Sequence, residues 1–299
     1  MSRQPPRAGA PQPVAPGVLR ILAPNPSPMT FLGTNSYVLG DRDVAVIDPG
    51  PDDPAHLQAL LAAIAGRPLR AILVTHAHLD HAALVPALSR RTGAPVMARG
   101  PAGAGRSAVM TRLAATGSLG GGEGVMSDFV PAVSLADGEA VSGADWALKV
   151  LYTPGHFGNH ICLLGAQWGF SGDHVMGWAS TLISPPDGDL TDFMASCAQL
   201  CERRPPLLLP GHGPVIVGPR DRIDWLLAHR RDREAQIIEA LAKGPSTLPR
   251  LTARLYADTP ENLLPAAARN VLAHLVDLHG RGLVKATPTL TLQARFCLS

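Results

Sequence analysis

Residues 75–81 read THAHLDH and follow directly on the apolar run RAILV. His76, His78, Asp80 and His81 thus place four ligand-type side chains within six positions. Imidazole nitrogens and carboxylate oxygens are the donors that divalent zinc, iron and manganese accept. In extended chain alternate residues project to one side, so His76 and His78 can grip one ion while Asp80 and His81 face a second. A solvated polar loop accounts for a single histidine but not for this density. Distant chain supplies further donors: TPGHFGNH carries His156, FSGDHVMG carries Asp173, and LLLPGHGP carries His212. Each follows an apolar run and is flanked by glycine, which lets backbone pass close to a ligand site.

Such ligands need rigid posts, and the surrounding pattern supplies them. NSYVLG and DVAVIDPG read as an antiparallel pair of strands, and RAILVT as a strand covered on both faces. DDPAHLQALLAAIAG reads as a helix, with Asp53 as its cap and Pro54 in its first turn. HAALVPALSRR is helical in pattern and APVMA is a strand; AVSLA, ALKVLYT, HICLLG and GFSGD are four more strands. DLTDFMASCAQLCERR and DRIDWLLAHRRDREAQIIEALAKG are helices on either side of the strand and loop LLLPGHG. Residues 99–128, rich in Gly and Ala, read first as a surface excursion with one short helix and second as a mobile active-site loop. Two β-rich batches, each followed by helices, suit an α/β (α+β) protein in which two packed sheets carry helices outside, an αββα sandwich. Periodicity alone does not separate this from a doubly wound sheet.

The tail changes character. EAQIIEALAKG, STLPRLTARLYA and ENLLPAAARNVLAHLVDLHGRG are amphipathic helices, and LVKATPTLTLQARF can form a hairpin; together they outline a small winged helix. The expected division is a Pro-rich lead over 1–17, a main domain over 18–230 and the winged helix over 231–299.

Composition narrows the classes. Of 299 residues, 46% are hydrophobic, enough for a sizeable core, while aromatics are only 4%, so Ala, Leu and Val must build it. A formal net charge of +2 does not by itself imply a polyanionic partner. From residue 201 onward fourteen Arg/Lys face nine Asp/Glu, a mildly basic rear half. Cys162, Cys197, Cys201 and Cys297 show no CxxC spacing and fit thiols in a reducing cytoplasm. The lead has no apolar stretch of the signal-peptide kind, and no run approaches the length of a membrane span.

In this order, THAHLDH, TPGH, GD and PGHG resemble the metallo-β-lactamase superfamily of two-metal hydrolases over roughly residues 18–220. The resemblance implies the αββα metallo-β-lactamase sandwich. It implies that His76, His78 and His156 hold one zinc, that Asp80, His81 and His212 hold the other, and that Asp173 bridges them. It also implies that Asp48, in VIDPG, supports the metal-binding loop from outside. Asp80 and Asp173 are the expected catalytic carboxylates, Asp80 as the group that orients the attacking oxygen. Two divalent ions against two carboxylates leave a charge of about +2, which a hydroxide nucleophile would answer. The expected cofactors are two zinc ions, with iron or manganese also compatible. His160 is expected to support the site rather than to ligate. His174 is read as a bystander or a substrate contact, and Trp178 and Tyr37 as packing residues.

Asp173 stands where secreted lactamases usually differ, and no flavodoxin-like domain or long insertion is present. The winged tail, with HVMG and SPPDGD, resembles the lactamase-beta-like group that includes a mitochondrial single-strand endoribonuclease, so RNA phosphodiesters are the first expected substrate. A glyoxalase II-like thioester hydrolase is the alternative. The basic lean of Arg250, Arg254, Arg269, Arg281 and Lys285 also admits a nucleic-acid binder with a structural metal. The expected partners are therefore an ester or thioester, or single-stranded RNA; a homodimer is compatible, and no membrane is expected.

Overall fold

The computed structural model describes residues 6–299. The first sheet begins with β1 (Pro11–Ala15), β2 (Val18–Leu22), β3 (Asn35–Leu39) and β4 (Val44–Ile47), all antiparallel neighbours. After α1 (Pro54–Ile64) comes β5 (Leu69–Leu73), then α2 (Leu79–Ala82), α3 (Val85–Thr92) and β6 (Val96–Ala98). Helix α4 (Ala108–Thr116) and β7 (Val133–Ser134) follow, and β4 to β7 run parallel, giving a seven-stranded sheet in chain order. The second sheet comprises β8 (Ala140–Ser142), β9 (Ala147–Tyr152), β10 (Ile161–Leu164) and β11 (Gly169–Gly172). Helix α5 (Leu190–Arg203) separates these from β12 (Leu207–Pro210) and β13 (Ile216–Val217), and the six strands lie in reverse chain order. The tail is α6 (Arg220–Ala242), β14 (Ser246–Thr247), α7 (Leu248–Leu255), α8 (Leu264–Gly280), β15 (Val284–Thr287) and β16 (Arg295–Leu298). Its three strands form a separate small sheet in the order β14-β16-β15, the wing of a winged helix.

Strand periodicity assigns each face its layer. In β5, Ile72 and the following Val74 join the cluster under α1 and α3, while Ala71 and Leu73 face the other way into the space between the sheets. That inter-sheet core is closed by Tyr37, Leu148, Ile161 and Phe170. Phe193 and Leu200 of α5, with Ile223 and Leu226 of α6, cover the outer face of the second sheet. The result is an αββα sandwich, the arrangement that the alternation of elements suits and that the motif resemblance implies.

The two sheets are pinned together at one edge. The Tyr37 hydroxyl donates to the Pro210 carbonyl at 2.7 Å, the Asn35 amide N–H to the Gly211 carbonyl at 2.7 Å, and the Ile161 N–H to the Thr75 carbonyl at 2.9 Å. These bonds join β3 to the end of β12 and the end of β5 to the start of β10, and β5 and β12 are two of the strands after which ligand-type residues come.

Two expectations need correction. Residues 11–15 are not loose lead but an edge strand; Pro11 and Pro13 are tolerated there because an edge strand can spare backbone N–H groups. Residues 1–5 of the expected lead lie outside the described residues. EAQIIEALAKG is not a helix of its own but the second half of α6, the single long helix that DRIDWLLAHRRDREAQIIEALAKG also reads as, which continues through residue 231. Ile223 and Leu226 serve the sandwich, whereas Ile237, Ala240 and Leu241 serve the winged-helix core. The short helix expected within 99–128 is α4, and its Met110, with Leu119 beyond it, is buried in that same C-terminal core.

Candidate metal centre

Three imidazoles converge where β5 and β9 end. The Nε2 atoms of His76 and His156 lie 2.9 and 3.1 Å from His78 Nδ1. Outer partners fix which nitrogens carry hydrogen. The Thr75 hydroxyl donates to Asp48 Oδ2 at 2.7 Å, so it accepts from His76 Nδ1 at 3.0 Å. His156 Nδ1 donates to the Leu182 carbonyl at 2.7 Å. Both rings therefore turn a bare Nε2 lone pair towards His78. Two lone pairs so aimed, with His78 Nδ1 as the third nitrogen of the set, are an arrangement that a cation would accept.

A second set adjoins the first. His81 Nδ1 donates to Asp48 Oδ2 at 2.9 Å, and His212 Nδ1 to the Gly33 carbonyl at 3.3 Å. Their Nε2 atoms stand 3.3 Å apart. Asp80 Oδ2 lies 3.1 Å from His212 Nε2, and Asp173 reaches His81, His212 and His156 at 3.4, 3.4 and 3.8 Å. Three overlapping triads, His76–His78–His156, His76–His81–Asp173 and Asp80–His81–His212, each gather their ligand atoms within 4.8 Å. All seven expected ligands are thus brought together, with Asp173 between the halves.

The donor set fits divalent cations on two further grounds. Asp173 Oδ1 is buried yet has no hydrogen-bond partner. Backbone also cradles the site: a Cβ at Gly211 would stand 2.5 Å from Asp173 Oδ1 and 2.6 Å from His81 Cε1, so only glycine fits there.

The halves differ electrostatically. Burial, reinforced by neighbouring imidazoles, holds His76 well below the ordinary histidine range and takes His78 down to about 3; burial also lowers His156. These three are neutral donors. In the other half burial opposes charge on His212, but Asp173 and Asp80 outweigh it and raise the imidazole to about 9. His81 is raised by the same balance. Burial likewise opposes ionisation of Asp80 and Asp173, and the facing histidines still hold both carboxyls well below their ordinary range. This half draws positive charge inward.

The supporting residues are placed as follows. Asp48 accepts from the Thr75 N–H, the Thr75 hydroxyl and His81 Nδ1, so it sets one ligand's orientation in each half. His160 lies outside the triads; its Nδ1 meets the Thr153 hydroxyl at 2.9 Å. His174 is fully buried against Phe193 and Cys197 and so cannot touch substrate. Tyr37 is core. Trp178 does more than pack, since it stacks on Phe31 at 5.1 Å and lines a cavity. Sequence reasoning passed over Thr75, the carbonyls of Gly33 and Leu182, and Asn159, whose side chain accepts from the Ala77 N–H and donates to the Gly100 carbonyl. Thr75 heads the histidine cluster and Asn159 adjoins His160, which is the only signal they carry in the sequence.

The rim of the site is apolar. Met29, Phe31 and Leu32 are 44, 42 and 41% exposed on the loop whose Gly33 carbonyl receives His212. Phe31, Leu32 and Trp178, with Val14, Leu22 and Val215 and the polar Gln12, Arg20 and Asn35, line a cavity of about 690 Å³ that adjoins His212 through Gly213 but is lined by none of the seven ligand-type residues. The expected basic surface is thinner than the sequence suggests. Arg269 is spent on Ser184, Pro185 and Leu119, and Arg281 on Glu234 and Asp277.

Residues 29–212 match the family model described as the metallo-beta-lactamase superfamily, and residues 247–290 match one described as a beta-lactamase associated winged helix domain. A relative in Drosophila melanogaster, named beta-lactamase-like protein 2 homolog, is 31% identical over 290 residues, which is 90% of this chain and 90% of that protein. A protein of Aspergillus fumigatus named atrochrysone carboxyl ACP thioesterase is 27% identical over 76% of this chain and 66% of its own length. Among solved structures, a metallo-beta-lactamase family protein from Thermus thermophilus superposes with a TM-score of 0.77 at 25% identity, covering 95% of this chain and 99% of the other.

Proposed function

Since this chain belongs to the metallo-β-lactamase superfamily of hydrolases, we propose that it cleaves thioesters of apolar acyl groups at a two-metal centre, with zinc as the first candidate ion and iron or manganese next. The observation that carries the substrate class is the cluster of exposed Met29, Phe31 and Leu32 on the loop whose Gly33 carbonyl receives His212, the last two lining a mainly apolar cavity that Arg20, Gln12 and Asn35 also line. Apolar side chains exposed together in this way mark a binding surface. A relative named as a carrier-protein thioesterase supports the same reading.

Cations held by the two sets would supply Lewis acidity at the thioester carbonyl and water acidified to a pKa of about 7. The chain's own residues do the rest. Asp80, the ligand-set carboxylate with the greater exposure at 29%, orients the attacking water. Asp173, buried among His81, His156 and His212, keeps the halves at fixed separation. The new C–O bond forms as the C–S bond breaks, the proton passes to the departing thiolate, and a carboxylic acid and a thiol result.

The test is turnover by the zinc-loaded protein of acyl-pantetheine thioesters of increasing chain length, beside S-lactoylglutathione and a fluorescent single-stranded RNA. Cleavage of the acyl-pantetheines, with KM falling as the chain lengthens and with His81→Ala inactive, supports the proposal. Cleavage of RNA with the thioesters intact overturns it in favour of the endoribonuclease reading.

A further inference from the structure

The loop 181–189 lies between the metal centre and the winged helix, and it is held from both sides. Towards the centre, the Leu182 carbonyl accepts from His156 Nδ1 at 2.7 Å. The Gly158 N–H donates to the Asp187 carbonyl at 2.9 Å, and the Asp189 N–H to the Gly155 carbonyl at 2.8 Å, so the loop grips the backbone on either side of His156. The Thr181 hydroxyl donates to the carbonyls of Asp173 and His174 at 3.1 and 2.9 Å. Towards the tail, Asn270 Oδ1 on α8 accepts from the Ile183 N–H at 3.1 Å and from Arg230 Nη1 at 3.1 Å. Arg230, on α6, also donates to the Thr181 carbonyl. The residues immediately before and after Leu182 are therefore both tied to one Arg–Asn pair. Arg269 extends the grip to Ser184 and Pro185.

Arg230 is almost fully buried, and no carboxylate pairs with it among the described residues. An unpaired buried cation is costly unless fixed dipoles answer it. Here the answer is the Thr181 carbonyl, the Asn270 amide and the face of Phe193, 5.5 Å from the guanidinium. Losing any one leaves the charge unsatisfied, so the three hold a single geometry. Because the Leu182 carbonyl fixes the hydrogen on His156 Nδ1, this geometry also decides where the Nε2 lone pair points.

We propose that Asn270, acting with Arg230, is a positioning residue for His156, and that the winged helix thereby sets the metal affinity of the His76–His78–His156 half of the centre. It rests on the two-cation reading of the site and not on the identity of the substrate. It also gives the winged helix a task inside the molecule that needs no nucleic acid.

The test uses the full-length protein, stripped of metal and titrated with cobalt(II) against a competing chelator, with binding at each half followed by absorption. Wild-type protein taking up two ions satisfies the underlying reading; uptake of none overturns that reading separately. Asn270→Ala is expected to weaken one of the two sites about 10- to 100-fold and leave the other unchanged. Asn270→Asp, which keeps the acceptor oxygen, is expected to restore binding to within about threefold of wild type. In a His156→Ala background, Asn270→Ala should have no further effect, since two changes acting through one contact are not additive. Equal loss at both sites, wild-type affinity in Asn270→Ala, or additivity with His156→Ala would each overturn the proposal.

Discussion

Asp48 shows how much of the centre depends on a side chain that belongs to none of the three triads but holds a member of them. Its Oδ2 receives both the Thr75 hydroxyl and His81 Nδ1, and its backbone sits at φ +49, a left-handed conformation that Asp tolerates better than most residues. Asp48→Asn would place an amide N–H opposite His81 Nδ1, force the hydrogen onto Nε2 and remove that lone pair from the site. Affinity for metal should fall about 10- to 100-fold. Chelator competition checks this, with the circular dichroism spectrum unchanged; undiminished affinity would remove Asp48 from this role. The convergence of the ligand-type residues was legible because side-chain chemistry is written in the sequence and these residues follow apolar strands. Their partners Leu182 and Gly33 were not, because every residue has a carbonyl and only the fold decides which one an imidazole meets.

Elements were read well wherever local pattern decides them and poorly wherever distant contacts do. The buried strand RAILV and the capped helix at Asp53 fall where expected; Asp53 Oδ1 accepts from the His56 N–H at 2.7 Å. Strand β1 was missed since prolines argue against a ladder unless the edge position is known. The rim loop is the element on which the substrate reading turns. Phe31→Ser would remove a large apolar contact from the cavity mouth and break its stack with Trp178. KM for long acyl thioesters should rise about tenfold, equivalent to about 1.4 kcal/mol of lost apolar contact, with little change in kcat or in KM for an acetyl thioester. An equal rise for both substrates would mean that the loop does not read the acyl chain.

At the scale of the whole molecule, buried histidines outside the centre set the response to acid. Burial takes His274, surrounded by Arg230, Arg233, His229 and Arg281, down to about 3, and burial takes His56 to about 4 against the opposing pull of Asp53. Both are neutral in the fold, while the unfolded chain takes up their protons below pH 6.5. The contribution of these two histidines to stability is therefore complete above pH 6.5 and is lost as pH falls towards 4 and then 3. His274→Leu, similar in volume, should flatten that limb by roughly 4 kcal/mol at pH 3, measured by urea unfolding of metal-free protein. An unaltered limb would show that His274 is not the group responsible. Helix α6 has the last consequence. Its 23 residues begin against the sandwich and finish inside the winged helix without interruption. A swivel between the two parts would have to snap that rod, so a protease is expected to find no joint near residue 231. Anyone wishing to exchange one tail for another must carry the rod across whole.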